Sequence, residues 1–93
     1  MAWGFIQQLP LTVDQYDRLN NEITEEPEGL ILHTSSEKAG GVRIVDVWDS
    51  EDAYRRFEQE TLMPAIGRIG VAPPAEPPAM DTFEVHNMRG RAS

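Results

Sequence analysis

Two apolar runs separated by a polar loop constrain the fold of this chain more than any other feature. The runs are "LILHT" at 30–34 and "VRIVDVW" at 42–48, and the loop between them, "SSEKAGG" at 35–41, ends in paired glycines. Strand-forming runs bounded by turn-forming residues predict an antiparallel hairpin. Because both runs are almost continuously apolar, we expect both faces of their sheet to be covered.

A further strand and an amphipathic helix precede this hairpin. Apolar residues from Ala2 to Leu9 predict a strand that ends before Pro10. Thr12 and Gln15 then have the spacing of a capping box at the start of a helix. The helix carries one apolar stripe, at spacings of three and four residues, made of Val13, Tyr16, Leu19 and Ile23.

A second helix and a last strand follow the hairpin. Ser50 is a good N-cap, and the pattern predicts a helix over 51–63 that kinks or restarts at Pro64. A proline-rich linker at 71–80 then leads to the run "TFEVHNM" at 82–88, which predicts the fourth strand.

The order strand, helix, strand, strand, helix, strand predicts one α+β domain over 1–93. It is the ferredoxin-like βαββαβ arrangement, with a four-stranded antiparallel sheet and both helices on one face. The other sheet face would still carry apolar side chains, and a chain of 93 residues is marginally stable alone. We therefore expect association with a second copy.

The segment "VDVWDSEDAYRRFEQETLMPAIGRIG" at 45–70 resembles a known pattern. It is similar to the third strand and second helix of the dimeric α+β barrel superfamily, in particular its small antibiotic-biosynthesis monooxygenase-like (ABM-like) proteins. The resemblance implies a homodimer in which two sheets close into a barrel, with a pocket in each subunit between sheet and helices. The superfamily includes cofactor-free oxygenases of aromatic polyketides, haem-degrading enzymes, cyclases, isomerases and stress proteins, so the fold alone does not define the activity.

Composition and motifs argue against several other classes of function. Sixteen acidic and eight basic side chains give a formal charge of −8, which would repel nucleic acid. The chain has no cysteine, no HxH or HExxH motif and no phosphate-binding glycine loop, so we expect neither metal nor cofactor. The alternative is a single histidine that ligates haem iron, as the resemblance to haem-degrading relatives implies. It also has no signal-like amino terminus and no long apolar run. We therefore expect a cytoplasmic protein that does not bind membranes.

Two residues are candidate general bases. Asp46 is a carboxylate inside an apolar strand, where it must find a partner or shift its pKa upward. His86 lies in the predicted fourth strand with Glu84 on the same strand face. The alternatives are an arginine salt bridge for Asp46 and a structural or exposed role for His86.

Four further residues are candidate substrate contacts. The resemblance implies a place at the pocket for Trp48, whose alternative role is core packing at the helix entrance. Tyr16 and Tyr54, one on each helix, would lean toward the sheet and orient a substrate carbonyl, or pack in the core with exposed hydroxyls. His33 in the second strand is a substrate contact or a further base.

These features favour a homodimer that binds an apolar, aromatic or polyketide-like small molecule. The leading hypothesis is a cofactor-independent monooxygenase, in which a base deprotonates an activated phenol or enol and the resulting anion reduces oxygen. The same pocket would also serve a cyclase or isomerase. A non-catalytic binding or stress protein is the third reading, and a pocket under roughly 300 Å³ would favour it.

Overall fold

A computed structural model describes residues 1–72 and 76–90 of the chain. The described strands form one four-stranded antiparallel sheet with the order β2-β3-β1-β4. This arrangement confirms the predicted ferredoxin-like α+β fold. In chain order the elements are β1 (Trp3–Leu9), α1 (Val13–Glu22), β2 (Leu30–Lys38), β3 (Gly41–Trp48), α2 (Glu51–Phe57), α3 (Met63–Ile69) and β4 (Met80–Glu84).

The β2–β3 hairpin is longer and its turn tighter than the sequence predicts. The predicted loop at 35–41 is mostly strand, and only Ala39 and Gly40 lie between β2 and β3. Both turn residues have positive φ, 52° for Ala39 and 76° for Gly40. Positive φ at both positions of a two-residue loop is the turn whose twist matches that of the strands. The loop prediction was wrong because polar residues that face solvent on an edge strand resemble a connection.

An aromatic core lies between the sheet and α2. β1 pairs with β3 and β4, so its side chains occupy the centre of the sheet. Rings from β1, β3 and α2 approach one another with centroids 4.8–6.4 Å apart in tilted or edge-on arrangements. Such pairs add about 0.5–1.5 kcal/mol each beyond the burial of their area. The rings are those of Trp3, Phe5, Trp48, Tyr54 and Phe57.

The helix after β3 changes its winding where the sequence predicts a kink. Ser50 accepts a hydrogen bond from the backbone N–H of Ala53, which confirms the predicted N-cap. A π-helical turn, Glu58–Leu62, separates α2 from α3, and Pro64 lies in the first turn of α3. Proline has no N–H to donate to the preceding turn, and π-turns of this kind bend helices.

Helix α1 begins at the predicted capping box. Thr12 accepts from the backbone N–H of Gln15, and the Gln15 side chain accepts from the backbone N–H of Thr12. Two contacts join this helix to α3: Arg18 donates to the carbonyl of Ile69 at 2.7 Å, and Arg68 pairs with Glu22 at 2.6 Å. These contacts hold α1 against the sheet beside α3.

The last strand begins earlier and ends earlier than predicted. β4 runs from Met80 to Glu84, so Met80 belongs to the strand and not to the linker. Residues 73–75 of the predicted linker lie outside the described residues. His86 lies in an exposed bend beyond β4, so its predicted placement in a strand beside Glu84 is wrong.

The sheet face opposite the helices carries a patch of apolar side chains, with polar ones such as Arg43 and Asp81 around it. Successive side chains of a strand point to opposite faces of the sheet, and Trp48 and Asp46 face the helices. The residues next to them in each strand therefore point to the other face. Within residues 1–72 and 76–90 no helix packs on this second face. Its apolar residues are Ile6, Leu32, Val45, Val47 and Phe83.

The described helices are all too short or too polar to cross a lipid bilayer.

Candidate functional site

A cavity of about 410 Å³ lies between α1, the loop that follows it and the helix-facing side of the sheet. Its walls are mainly apolar, and the polar lining residues come from the sheet, from α1, from the loop after α1 and from α2. The apolar wall includes Phe5, Leu9, Leu19, Ile23, Leu30, Ile44, Trp48, Phe57 and Leu62. The polar lining includes Gln7, Tyr16, Asn20, Glu25, Glu26, His33, Asp46 and Tyr54.

Asp46 and His33 form the central contact of this polar side. They are directly opposite each other in the β2–β3 ladder, and His33 Nδ1 lies 2.6 Å from Asp46 Oδ1. The Asp46 side chain is 7% exposed and that of His33 is 34% exposed. A buried carboxyl group beside a half-open imidazole is an arrangement that can orient a histidine for proton transfer.

Tyr16 extends the line of hydrogen bonds from the sheet to α1. Its hydroxyl oxygen lies 2.5 Å from His33 Nε2, and the two rings stack at an interplanar angle of 11°. Tyr16 occupies the second position of the α1 stripe, which faces the sheet. Both ring nitrogens of His33 therefore have a partner.

Trp48 holds the other oxygen of the carboxyl group. Its indole Nε1–H donates to Asp46 Oδ2 over 3.1 Å. The residue is 1% exposed and packs against Tyr54 and Phe57. Its position favours a role in core packing and in fixing Asp46 over a broad stacking surface for a ligand.

The network defines which atoms donate. Indole is a donor only, so Asp46 accepts from Trp48, and its second oxygen accepts from His33 Nδ1–H. In a neutral imidazole that tautomer leaves Nε2 as an acceptor, and Tyr16 O–H donates to it. Hydrogen bonds thus connect Trp48 in the core, through Asp46 and His33, to Tyr16 at the cavity.

Tyr54 lines the cavity but does not give up its proton near neutral pH. Burial, reinforced by the nearby Glu58 carboxylate, raises the pKa of its hydroxyl well above the usual value. The residue is 4% exposed and lies among the aromatic rings. Arg55, beside it in sequence, pairs with Glu51 and Glu58.

The structure gathers five of the six residues singled out from sequence. Tyr16, His33, Asp46, Trp48 and Tyr54 all line the cavity. The sixth, His86, is exposed and does not line it. Asp46 has His33 as its partner, not the arginine that the sequence alternative named.

Sequence reasoning missed the pairing of His33 with Asp46, although a signal was present. A two-residue turn at Ala39 and Gly40 places each β2 residue opposite a fixed β3 residue, and His33 then faces Asp46. The predicted loop at 35–41 was seven residues long, so it did not fix which residues of β2 and β3 lie opposite each other. The available indication was Gly40, since glycine takes positive φ without strain and is typical of a two-residue turn.

Neither family models nor curated proteins match this chain. Several solved structures, in contrast, match this chain. A candidate antibiotic biosynthesis monooxygenase from Chloroflexus aurantiacus superposes with a TM-score of 0.67 at 20% identity, covering 97% of this chain and 98% of that one. SnoaB, described as a cofactor-independent oxygenase from Streptomyces nogalater, gives a TM-score of 0.58 at 14% identity over 94% of this chain and 95% of its own.

The chain has the antibiotic biosynthesis monooxygenase fold. MhuD, in a structure with two manganese protoporphyrin IX molecules bound per active site, also shares this fold, with a TM-score of 0.64 at 13% identity. The match covers 97% of this chain and 99% of MhuD. Proteins of this fold therefore include one described as a cofactor-independent oxygenase and one with bound metalloporphyrin, so the cavity of this chain has to indicate its own chemistry.

Proposed function

We propose that this chain binds a small aromatic molecule in the cavity and removes a proton from it with His33, as the first step of a cofactor-independent oxygenation. The observation that carries the proposal is the Asp46–His33–Tyr16 line of hydrogen bonds at the side of an apolar cavity. SnoaB, an oxygenase without cofactor, supports the reaction class through its shared fold.

His33 acts as the base and Asp46 as the residue that orients it. The carboxyl group fixes the proton on Nδ1, so Nε2 is the atom that accepts. When His33 becomes protonated, the adjacent carboxylate stabilises the imidazolium. In the structure the Tyr16 hydroxyl is hydrogen-bonded to Nε2. A substrate therefore either displaces this hydroxyl, or gives its proton to Tyr16 while Tyr16 gives its own proton to His33.

The deprotonated substrate supplies the electrons for the second step. A methylene activated by a neighbouring carbonyl and aromatic rings becomes a carbanion or enolate, which reduces O₂. One oxygen atom remains on the carbon as a new carbonyl, and the other leaves as water with the two substrate hydrogens. The apolar walls exclude water from the reactive anion and position the ring.

The cavity size agrees with this role. Its volume of about 410 Å³ exceeds the roughly 300 Å³ below which a pocket does not take a drug-sized ligand. A filled pocket was the sign expected of a non-catalytic protein. The open cavity therefore favours a ligand-binding function.

Oxygen uptake with anthrone tests the reaction. Anthrone has an acidic methylene, and its oxidation by O₂ gives anthraquinone and water. We expect oxygen uptake, measured with an oxygen electrode, to be faster with the protein than in a protein-free control. His33→Ala should lower the accelerated rate about 100-fold or more, the range of a lost general base.

His86→Ala is the matched control, because this histidine is exposed and lies outside the cavity. It should leave the rate unchanged. A loss of rate in His86→Ala with none in His33→Ala would reverse the assignment of the base. Conversion of a substrate without oxygen consumption would instead indicate an isomerase or cyclase.

We also infer a homodimer built through the open sheet face. The ABM-like resemblance implies such a dimer, and within the described residues no helix packs over the apolar side chains of this face, most of which are half-buried. A contiguous apolar patch that is only partly covered is typical of a protein interface. Cytoplasmic location, the absence of nucleic-acid binding and the single domain over 1–93 stay predictions from the sequence.

A further inference from the structure

The cavity has an unusual balance of charge for a site that binds small molecules. Among the described residues that line it, Glu25, Glu26 and Asp46 are acidic, and none is lysine or arginine. Glu25 and Glu26 are exposed in the loop after α1, at the outer side of the cavity. Neither has an ion-pair partner within residues 1–72 and 76–90.

The nearby arginines are engaged away from the cavity. Arg18 donates to the Ile69 carbonyl, Arg68 pairs with Glu22, and Arg55 pairs with acidic residues of its own helix. Arg43 is on the strand face opposite Asp46 and so points away from the helices. Within the described residues, no lysine or arginine lines the cavity to receive an anionic group of a ligand.

A metal, like a substrate, would have to displace a hydrogen-bond partner to reach a nitrogen of His33. Nδ1 is hydrogen-bonded to Asp46 and Nε2 to Tyr16. The other histidine, His86, does not line the cavity. An imidazole bound to haem iron needs one nitrogen for the metal.

Haem does not fit this donor set. A porphyrin such as protoporphyrin IX carries two propionates, and the described lining of the cavity offers these anions carboxylates but no lysine or arginine. Its iron would have to displace Tyr16 from His33 Nε2 before it could bind there. The cavity therefore differs in chemistry from what the porphyrin-bound MhuD structure would suggest for this fold.

We propose that the cavity selects by charge: it takes neutral or cationic planar aromatic molecules and rejects carboxylates, including haem. The selection comes from Glu25 and Glu26 at the outer side and from Asp46 at the inner side. It names the ligand class of the proposed function and rests on the same cavity, but it concerns binding and not turnover.

Three planar probes of one shape test the selection. Naphthalene-2-carboxamide, naphthalene-2-carboxamidinium and naphthalene-2-carboxylate are neutral, cationic and anionic. In titration calorimetry at low salt we expect the first two to bind and the carboxylate to bind about tenfold more weakly. The acidic side chains of the lining repel an anionic ligand when little salt screens their charges. Raising the salt concentration to about 1 M should reduce the difference, because screening shortens the reach of exposed charges to roughly 3 Å.

A double variant identifies the residues responsible. Glu25→Gln with Glu26→Gln should bring the carboxylate and carboxamide affinities to within about threefold of each other, as both exposed charges are removed. Glu28→Gln is the matched control, because Glu28 is exposed in the same loop but does not line the cavity. It should leave the tenfold difference in place.

Carboxylate binding as tight as carboxamide binding would overturn the charge selection and leave the proposed function standing. No binding of any probe would overturn both, because the cavity would then not admit aromatic rings. A haemin titration adds a second readout: we expect no Soret shift of histidine-ligated iron. Such a shift in the wild type, lost in His33→Ala, would also overturn the proposal.

Discussion

Asp46 shows how one residue can fix the chemistry of a neighbour. Its two oxygens accept from Trp48 and His33, which leaves the His33 proton on Nδ1. In Asp46→Asn the amide oxygen must still accept from the donor-only indole of Trp48, so the amide N–H₂ faces His33. We expect the imidazole to change tautomer, with its proton on Nε2.

Nitrogen-15 NMR of the imidazole measures this change directly, and anthrone oxidation should fall about 100-fold because Nε2 no longer accepts. Asp49→Asn is the control, since Asp49 is exposed and does not line the cavity. An unchanged His33 tautomer in Asp46→Asn would contradict the orienting role of Asp46.

Tyr54 makes stability depend on alkaline pH. Burial raises its pKa in the folded state, so above about pH 10 the unfolded chain ionises while the folded chain stays protonated. The stability that Tyr54 contributes is therefore fully present below pH 10 and is lost as the pH rises further. Urea unfolding should show the wild type losing up to about 1.4 kcal/mol more per pH unit than Tyr54→Phe. Parallel losses in the two proteins would contradict this linkage.

Among the elements, the β2–β3 hairpin determines the site because its turn sets the register. Ala39 has a φ of 52°, a conformation that costs a non-glycine residue energy unless it is asparagine or aspartate. Ala39→Asn places Asn-Gly in the turn, the preferred pair for two-residue hairpins. We expect the unfolding free energy to rise by about 0.5 kcal/mol and the melting temperature by a few degrees.

Thermal unfolding checks this prediction against Ala79→Asn, a change at an exposed position just before β4. Only the turn variant should gain stability. A lower melting temperature for Ala39→Asn would mean that the turn does not hold the positive-φ geometry.

For the whole molecule, the prediction concerns the homodimer that we infer through the open sheet face. We expect sedimentation equilibrium to give twice the 10.5 kDa mass of the chain. Val45→Lys places a charge at the middle of the face and should yield a monomer, because an unpaired charge in a buried interface is costly. Val13→Lys is the control: Val13 is already 38% exposed and lies on α1, away from this face. A wild-type monomer at micromolar concentration would contradict the dimer.

Local patterns predicted the elements well and their ends less well. The Thr12 capping box and the Ser50 cap were visible because each depends on residues close in sequence. The extent of β2 was missed, since its polar outer half faces solvent and carries no apolar signal. His86 was misplaced for the converse reason: an apolar run continued in sequence beyond the last paired residue of β4.

The sequence by itself determined the order of elements, the helix caps and the apolar faces, because short-range spacing controls hydrogen bonding and burial within each element. Only the tertiary structure decided which histidine meets Asp46. That contact depends on the register of the β2–β3 ladder and on α1 bringing Tyr16 over His33. Contacts between residues distant along the chain follow from packing, and packing is not a property of any single segment.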